Sequence, residues 1–488
     1  MNAWRILIAG IAGCLTAASV FAAGTASDLK RSAELLERHY YDSAAALLRA
    51  NKFEGDLEPM AALTLARAYA RSAELHRALH VASLALGTRY LQQLTTQRGP
   101  DGSRYAALFH GEYLLEARRG KEGAAQIRRF LDQKGNPASY TDIARAVLAA
   151  EQGNVLPEHL KSIDPLVRLQ AAATASKVPA QRTDALALAD QSVEALRNAK
   201  AILPMRALSQ AVGIYARLGE FEKAFALLAA VDRGRPSIEE KVSESKVLRH
   251  YDPALLGNIA LLYASAAESL FERVRNAPRV KSVAGYFLAE LHVLNGRAPK
   301  AAPLIAQIVD APDLPPAFRE RAAILQAIVD LQGNDAARGK GALDELAKKH
   351  AEDPVLLAET LLACVRGRQE CIAVTAAARR LAQTAQSERF RALHRAVGEQ
   401  YAAEGKHDLA LQSLETARDK SNKNKLDTND PILLLRLAEQ HFTAKSFSES
   451  LEIYFELGKE FPAVRQLQEA AQGIYSTEFR SAGDVRIF

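Results

Sequence analysis

His76 and His80 stand four residues apart, the spacing that puts two rings on one face of a helix, as two ligands of one metal ion require. No further His, Cys or carboxylate completes a set around them. The pair therefore reads as two solvated rings, and no metal or other cofactor is expected. Cys364 and Cys371 are seven apart, which on one continuous helix is about 10 Å, too far for a bond. Between them, however, the polar run Val365 to Glu370 contains Gly367, which ends one helix and lets another begin. A turn there brings the two sulfurs together, and in an oxidising compartment a disulfide follows; two buried thiols are the alternative. Cys14 belongs to a different context, Ile11-Ala12-Gly13-Cys14, similar to a bacterial lipoprotein box in which that cysteine carries the lipid. Catalytic signatures are missing: there is no His-Glu-x-x-His helix, no Gly-x-Ser-x-Gly elbow, no dinucleotide fingerprint and no phosphate loop. Ala336 to Gly341 has glycines and a lysine but lacks the phosphate loop's spacing and hydroxyl. No catalytic residue is assigned, and the chain reads as a non-enzyme.

The elements that must position these residues are helices, and two stretches show how they pair. Val397-Gly398, Tyr401, Gly405, Ala410, Leu414 and Ala417 are matched 40 residues on by Leu437-Ala438, His441, Lys445, Ser450, Tyr454 and Leu457, with Pro462 closing the second copy. Small residues at Gly398 and Ala410 let two antiparallel helices approach, and larger residues at helical spacing form one shared apolar face. One such pair cannot bury that face alone and needs neighbours. This pattern resembles the tetratricopeptide repeat, whose period is roughly 34 residues; the polar run from Lys420 to Thr428 accounts for the excess. Further copies fall at Pro59 to Ala85 around Tyr69, at Pro204 to Pro236 around Tyr215, and at Val283 to Ile308 around His292. The repeat around Tyr69 places His76 and His80 on the outer side of a second helix. A looser copy runs from Arg319 to His350, where Gly339-Lys340-Gly341 are expected to lengthen the turn.

The resemblance implies an all-α, right-handed α-solenoid of stacked antiparallel helix pairs, bent into two arms, which works by holding protein partners. Partners sit on the concave side lined by first helices. The template puts Arg67, Arg71, Arg206, Arg217, Tyr286, Glu290, Arg395, Glu399, Leu435, Glu439 and Phe442 there, a mixture suited to an extended peptide or a partner's helix.

Composition agrees with helices. Hydrophobic residues are 48% of the chain and aromatics only 6%, so Ala and Leu carry the apolar content. The net charge of +6, from 63 basic and 57 acidic residues, is too small and dispersed for a nucleic-acid surface. Residues 1–22 read as a signal peptide: a basic start to Arg5, an apolar run from Ile6 to Val20, and the small-residue cleavage pattern Val20-Phe21-Ala22. The apolar core before Cys14 is short and Leu15 to Ala23 stays apolar, which favours simple cleavage over lipidation. The remaining organisation is repeats over 23–134, degenerate helical repeats or a separate small domain over 135–203, repeats with a capping helix over 204–475, and a tail over 476–488. The function expected is that of a periplasmic scaffold in a cell-envelope machine for polysaccharide export, secretion, pilus assembly or surface motility. It touches the membrane only through partners or a lipid anchor, which would make it outer-membrane associated. The alternative is a lipid-anchored assembly factor, or a cofactor or metal chaperone with a composite site.

Overall fold

Helices in this chain start where the sequence supplies an acceptor for their first N–H groups. In the computed structural model, which describes residues 22–96, 102–198, 205–231, 252–333, 335–384, 388–419, 429–461 and 464–481, Thr25 and Asp28 form a reciprocal capping box. Asp164, Asp353 and Asp430 each accept from the N–H two residues on, with Pro at the first helical position. The fourth Asp-Pro, Asp252-Pro253, also accepts from Ala254 N, but its helix begins later, at Leu255.

Twenty-three α-helices result among the described residues. The first three are α1 (Ala26–Glu37), α2 (Tyr41–Arg49) and α3 (Leu57–Thr96). Then come α4 (Gly102–Glu116), α5 (Gly120–Leu131), α6 (Ala138–Glu151), α7 (Pro157–Leu160), α8 (Pro165–Ala175) and α9 (Arg182–Asn198). The middle holds α10 (Met205–Leu218), α11 (Phe221–Val231), α12 (Leu255–Val274), α13 (Lys281–Leu294), α14 (Ala298–Ile308), α15 (Pro316–Gln332) and α16 (Ala336–Lys349). The last are α17 (Pro354–Gly367), α18 (Ile372–Thr384), α19 (Arg391–Ala403), α20 (His407–Ala417), α21 (Pro431–Thr443), α22 (Phe447–Glu460) and α23 (Arg465–Ser481). From α13 to α22 they pack as successive pairs, each against the next, in the expected all-α solenoid. The only strand pairing among the described residues joins Ala22-Ala23 (β1) in parallel to Asn51-Lys52 (β2).

The close approach within a pair is visible at Gly398: a Cβ there would lie 2.7 Å from the Leu414 side chain. The following turn needs a left-handed residue, supplied by Gly405 in one copy and by Lys445, at φ 62°, in the next.

Three expectations are corrected. The stretch from Pro59 to Ala85 is not a helix pair but the middle of α3, 40 residues in one helix and about 60 Å long. Ala73 occupies the place of Gly405, and Arg71 to Leu79 holds no Gly or Pro to stop the helix. Gly339-Lys340-Gly341 lie inside α16, because Gly339 fits against the Ala327 carbonyl and Leu331. The carboxy-terminal helix extends past Ser476 to Ser481. Residues 1–21 of the leader, with Cys14, and the run Lys420 to Thr428 lie outside the described residues.

One apolar core runs from Leu36 to Ile474 and joins α3 to both ends of the chain. A smaller core under α4, α5, α6 and α8 collects Leu108, Ile127, Phe130, Ile143 and Val167.

Candidate functional site

The inner side of the α13–α21 curve is where a solenoid holds its partners, and here it faces α3. That helix packs on α12, α13, α21 and α23. It reaches α17 through Glu74, which takes Arg71 at 2.8 Å on its own helix and Arg366 at 3.2 Å. Arg77 donates to the Leu294 carbonyl at 2.6 Å and to the Asn295 side chain, satisfying acceptors at the end of α13. The Arg67 guanidinium lies 4.8 Å above the Phe287 ring, within an aromatic group made with Tyr286 and Phe318. Arg89 stacks in the same way on Phe442, whose ring meets Phe447 edge-on at 5.1 Å.

Charge on the facing helices is also consumed internally. Arg395 donates to Glu399 at 2.8 Å and to Asp430, and Arg436 donates to Glu439 at 2.7 Å. Arg321 and Glu359 bridge α15 and α17 at 2.9 Å. Burial raises the Glu290 and Glu439 carboxyls above their ordinary range, against the pull of Arg71 on the first and Arg436 on the second.

The sequence-derived concave residues therefore need correction. Arg67 and Arg71 belong to the helix that fills the groove rather than to its wall. Tyr286, Leu435 and Phe442 are 4%, 0% and 6% exposed, and Glu290, Arg395, Glu399 and Glu439 are largely covered by α3 or by one another's charges. Arg206 is buried in a bidentate pair with Glu112 of α4, at 2.8 and 2.6 Å. Arg217 spans Ser176 and Asn258 at 3.4 Å each, between α8 and α12. The physical reason is that repeat spacing assigns a side to each residue, but says nothing about a segment far away in the sequence that covers it. His76 and His80 are corrected too. His76 is buried, with Nδ1 2.7 Å from the Ser72 carbonyl and its ring stacked on Tyr263, while His80 lies 3.3 Å from Glu116. Among the described residues no three His, Cys, Asp or Glu gather as metal ligands.

Cys364 and Cys371 form a disulfide with Cα atoms 6.0 Å apart, both buried. The turn that brings them together is closed by Arg368 in the left-handed conformation, its N–H capping the end of α17. Arg366, which reaches Glu74, sits inside that closed loop.

Two features were not legible as sites. Ser209 donates to Asp252 at 2.8 Å, and Asn258 donates to the Ser209 carbonyl at 2.9 Å, tying α10 to α12. Burial pushes the Asp252 carboxyl up to about 6 despite Arg206 nearby. The second is a cleft of about 480 Å³ between α6 and the segment carrying α7, lined by Asp142, Arg145, Asn154, Leu156, Glu158 and His159 among others. No repeat template covers that stretch, so nothing in the spacing pointed to it.

No protein-family model matches the chain, and no curated protein matches it. Among solved structures it is similar to the crystal structure of yeast Tom70, at 11% identity over 93% of this chain and 96% of that one, with a TM-score of 0.34. At that score the likeness carries no argument, and the solenoid is read from this chain's own helix pairs.

Proposed function

We propose that this protein is a non-enzymatic scaffold that holds protein partners in the cell envelope, in the periplasm, as part of an assembly for export, secretion, pilus formation or surface motility. The observation that carries the reading is α3 seated on the inner side of the helix pairs. Its Arg77 caps α13, its Arg67 and Arg89 stack on aromatic rings, and its Glu74 takes Arg366. These are the contacts by which a helical-repeat framework holds a helix, here made in cis. Support for export comes from the Cys364–Cys371 bridge, since structural disulfides persist in oxidising compartments.

The test is fractionation of cells expressing the whole chain, with photo-crosslinking from exposed outer positions such as Ile372 and Leu409. The expected result is an envelope fraction with discrete covalent adducts to envelope proteins, and no labelling of Cys364 or Cys371 in denatured, non-reduced protein. A chain recovered in the cytosol with reactive thiols at both positions overturns the location. An exported chain that forms no adduct from any outer position overturns the scaffold.

A further inference from the structure

With α3 in the groove, a partner must use a surface elsewhere, and the cleft beside α7 has the features of one. His159 is only 7% exposed, lines the cleft, and makes no ring hydrogen bond among the described residues. Its ring nitrogens are open to the cleft, so a ligand can take the place of water on them. Ile163, one residue beyond the Ser162 that lines the wall, is 94% exposed, the most exposed of the chain's large hydrophobic side chains among the described residues. An aliphatic side chain standing free next to a polar cleft is covered when an apolar side chain of a partner lies along the rim. The cleft also carries two carboxylates, Asp142 and Glu158, against one guanidinium, Arg145, which holds Asp142 only at 3.4 Å. In a chain whose net charge is +6, this local surplus of negative charge selects a basic ligand.

We propose that this cleft docks an extended peptide segment of a partner protein carrying a Lys or Arg beside an aliphatic residue. The basic side chain meets Asp142 and Glu158, the aliphatic one lies on Ile163, and His159 and the Asn154 amide bond the peptide's backbone. This rests on the scaffold reading and names one surface through which it acts.

A phage-displayed library of random octapeptides, selected on the full chain, supplies the probe; a recovered peptide is synthesised with a fluorophore and titrated by polarisation. Ile163→Asp and His159→Phe are expected to weaken it at least tenfold, while Ile372→Asp, on α18 and 66% exposed, leaves it unchanged. Thermal unfolding of each variant separates lost binding from lost fold, and the exposed Ile163→Asp keeps the test open if His159→Phe fails to fold. Peptides that bind all three variants alike overturn the cleft assignment and leave the scaffold standing, with its surface elsewhere. Failure to recover any peptide, or recovery only of a saccharide from a glycan array whose binding Ile163→Asp abolishes, overturns the peptide assignment whatever the envelope crosslinking shows.

Discussion

Asp252 is the residue whose chemistry the fold changes most legibly. Unfolded, it titrates near the ordinary 3.8; folded, burial holds it at about 6. Between those values the folded chain binds the extra proton, so Asp252 contributes stability that is fully present below about pH 4 and is lost as pH rises through 6. The gap corresponds to roughly 3 kcal/mol at 1.36 kcal/mol per pH unit. Asp252→Asn keeps an acceptor for Ala254 N and has no charge to bury. Chemical denaturation at pH 4 and pH 7 is expected to show a smaller loss with rising pH in the variant than in the parent chain; equal losses would mean that Asp252 is already solvated. The sequence disclosed that Asp252 precedes a helix, through its Pro253, but not that Ser209 and Arg206 would enclose it. Those partners come from a helix pair about 45 positions earlier, and no local spacing connects them.

At the scale of elements, the decisive one is α3. The repeat template at Tyr69 is correct in its apolar positions, since Ala66, Tyr69, Ala73 and Ala82 are all buried. It fails at the turn, because the same positions serve a continuous helix when no residue interrupts it. Ala73→Gly separates the two arrangements. At a turn that needs the left-handed conformation, as at Gly405, glycine is favoured, whereas inside α3 it costs roughly 0.5–1 kcal/mol relative to alanine. Thermal melting of Ala73→Gly is expected to fall below the parent; a melting point unchanged or raised would mean that a turn lies there. The copies at Arg391 and Pro431 were legible as helix pairs, because Gly405 and Lys445 mark turns that the structure keeps. The concave residues were legible only as a face. Tyr286 and Phe442 do point to the inner side, but their occupant is encoded far away in the chain.

The whole molecule closes on itself where α23 meets α3. Gly473 lies against Tyr90 so tightly that an added Cβ would sit 2.3 Å from the ring. Gly473→Ala is expected to cost about 1–3 kcal/mol through overpacking, and Tyr90→Leu should recover part of it when the two are combined. Additive losses in that cycle would mean that the two positions do not touch. This closure bears on how the molecule comes into being. α3 leaves the ribosome near the beginning of synthesis, while α21 and α23, on which it packs, leave near the end. The part of this 40-residue Ala- and Leu-rich helix that packs on α23 must therefore wait, uncovered, until some 380 further residues exist. Contacts of such sequence separation make folding slow, and the interval exposes surfaces that aggregate. Stopped-flow refolding should show the burial of Tyr90 in the slowest phase, and chains truncated before Arg465 should accumulate as soluble protein only with a chaperone in attendance.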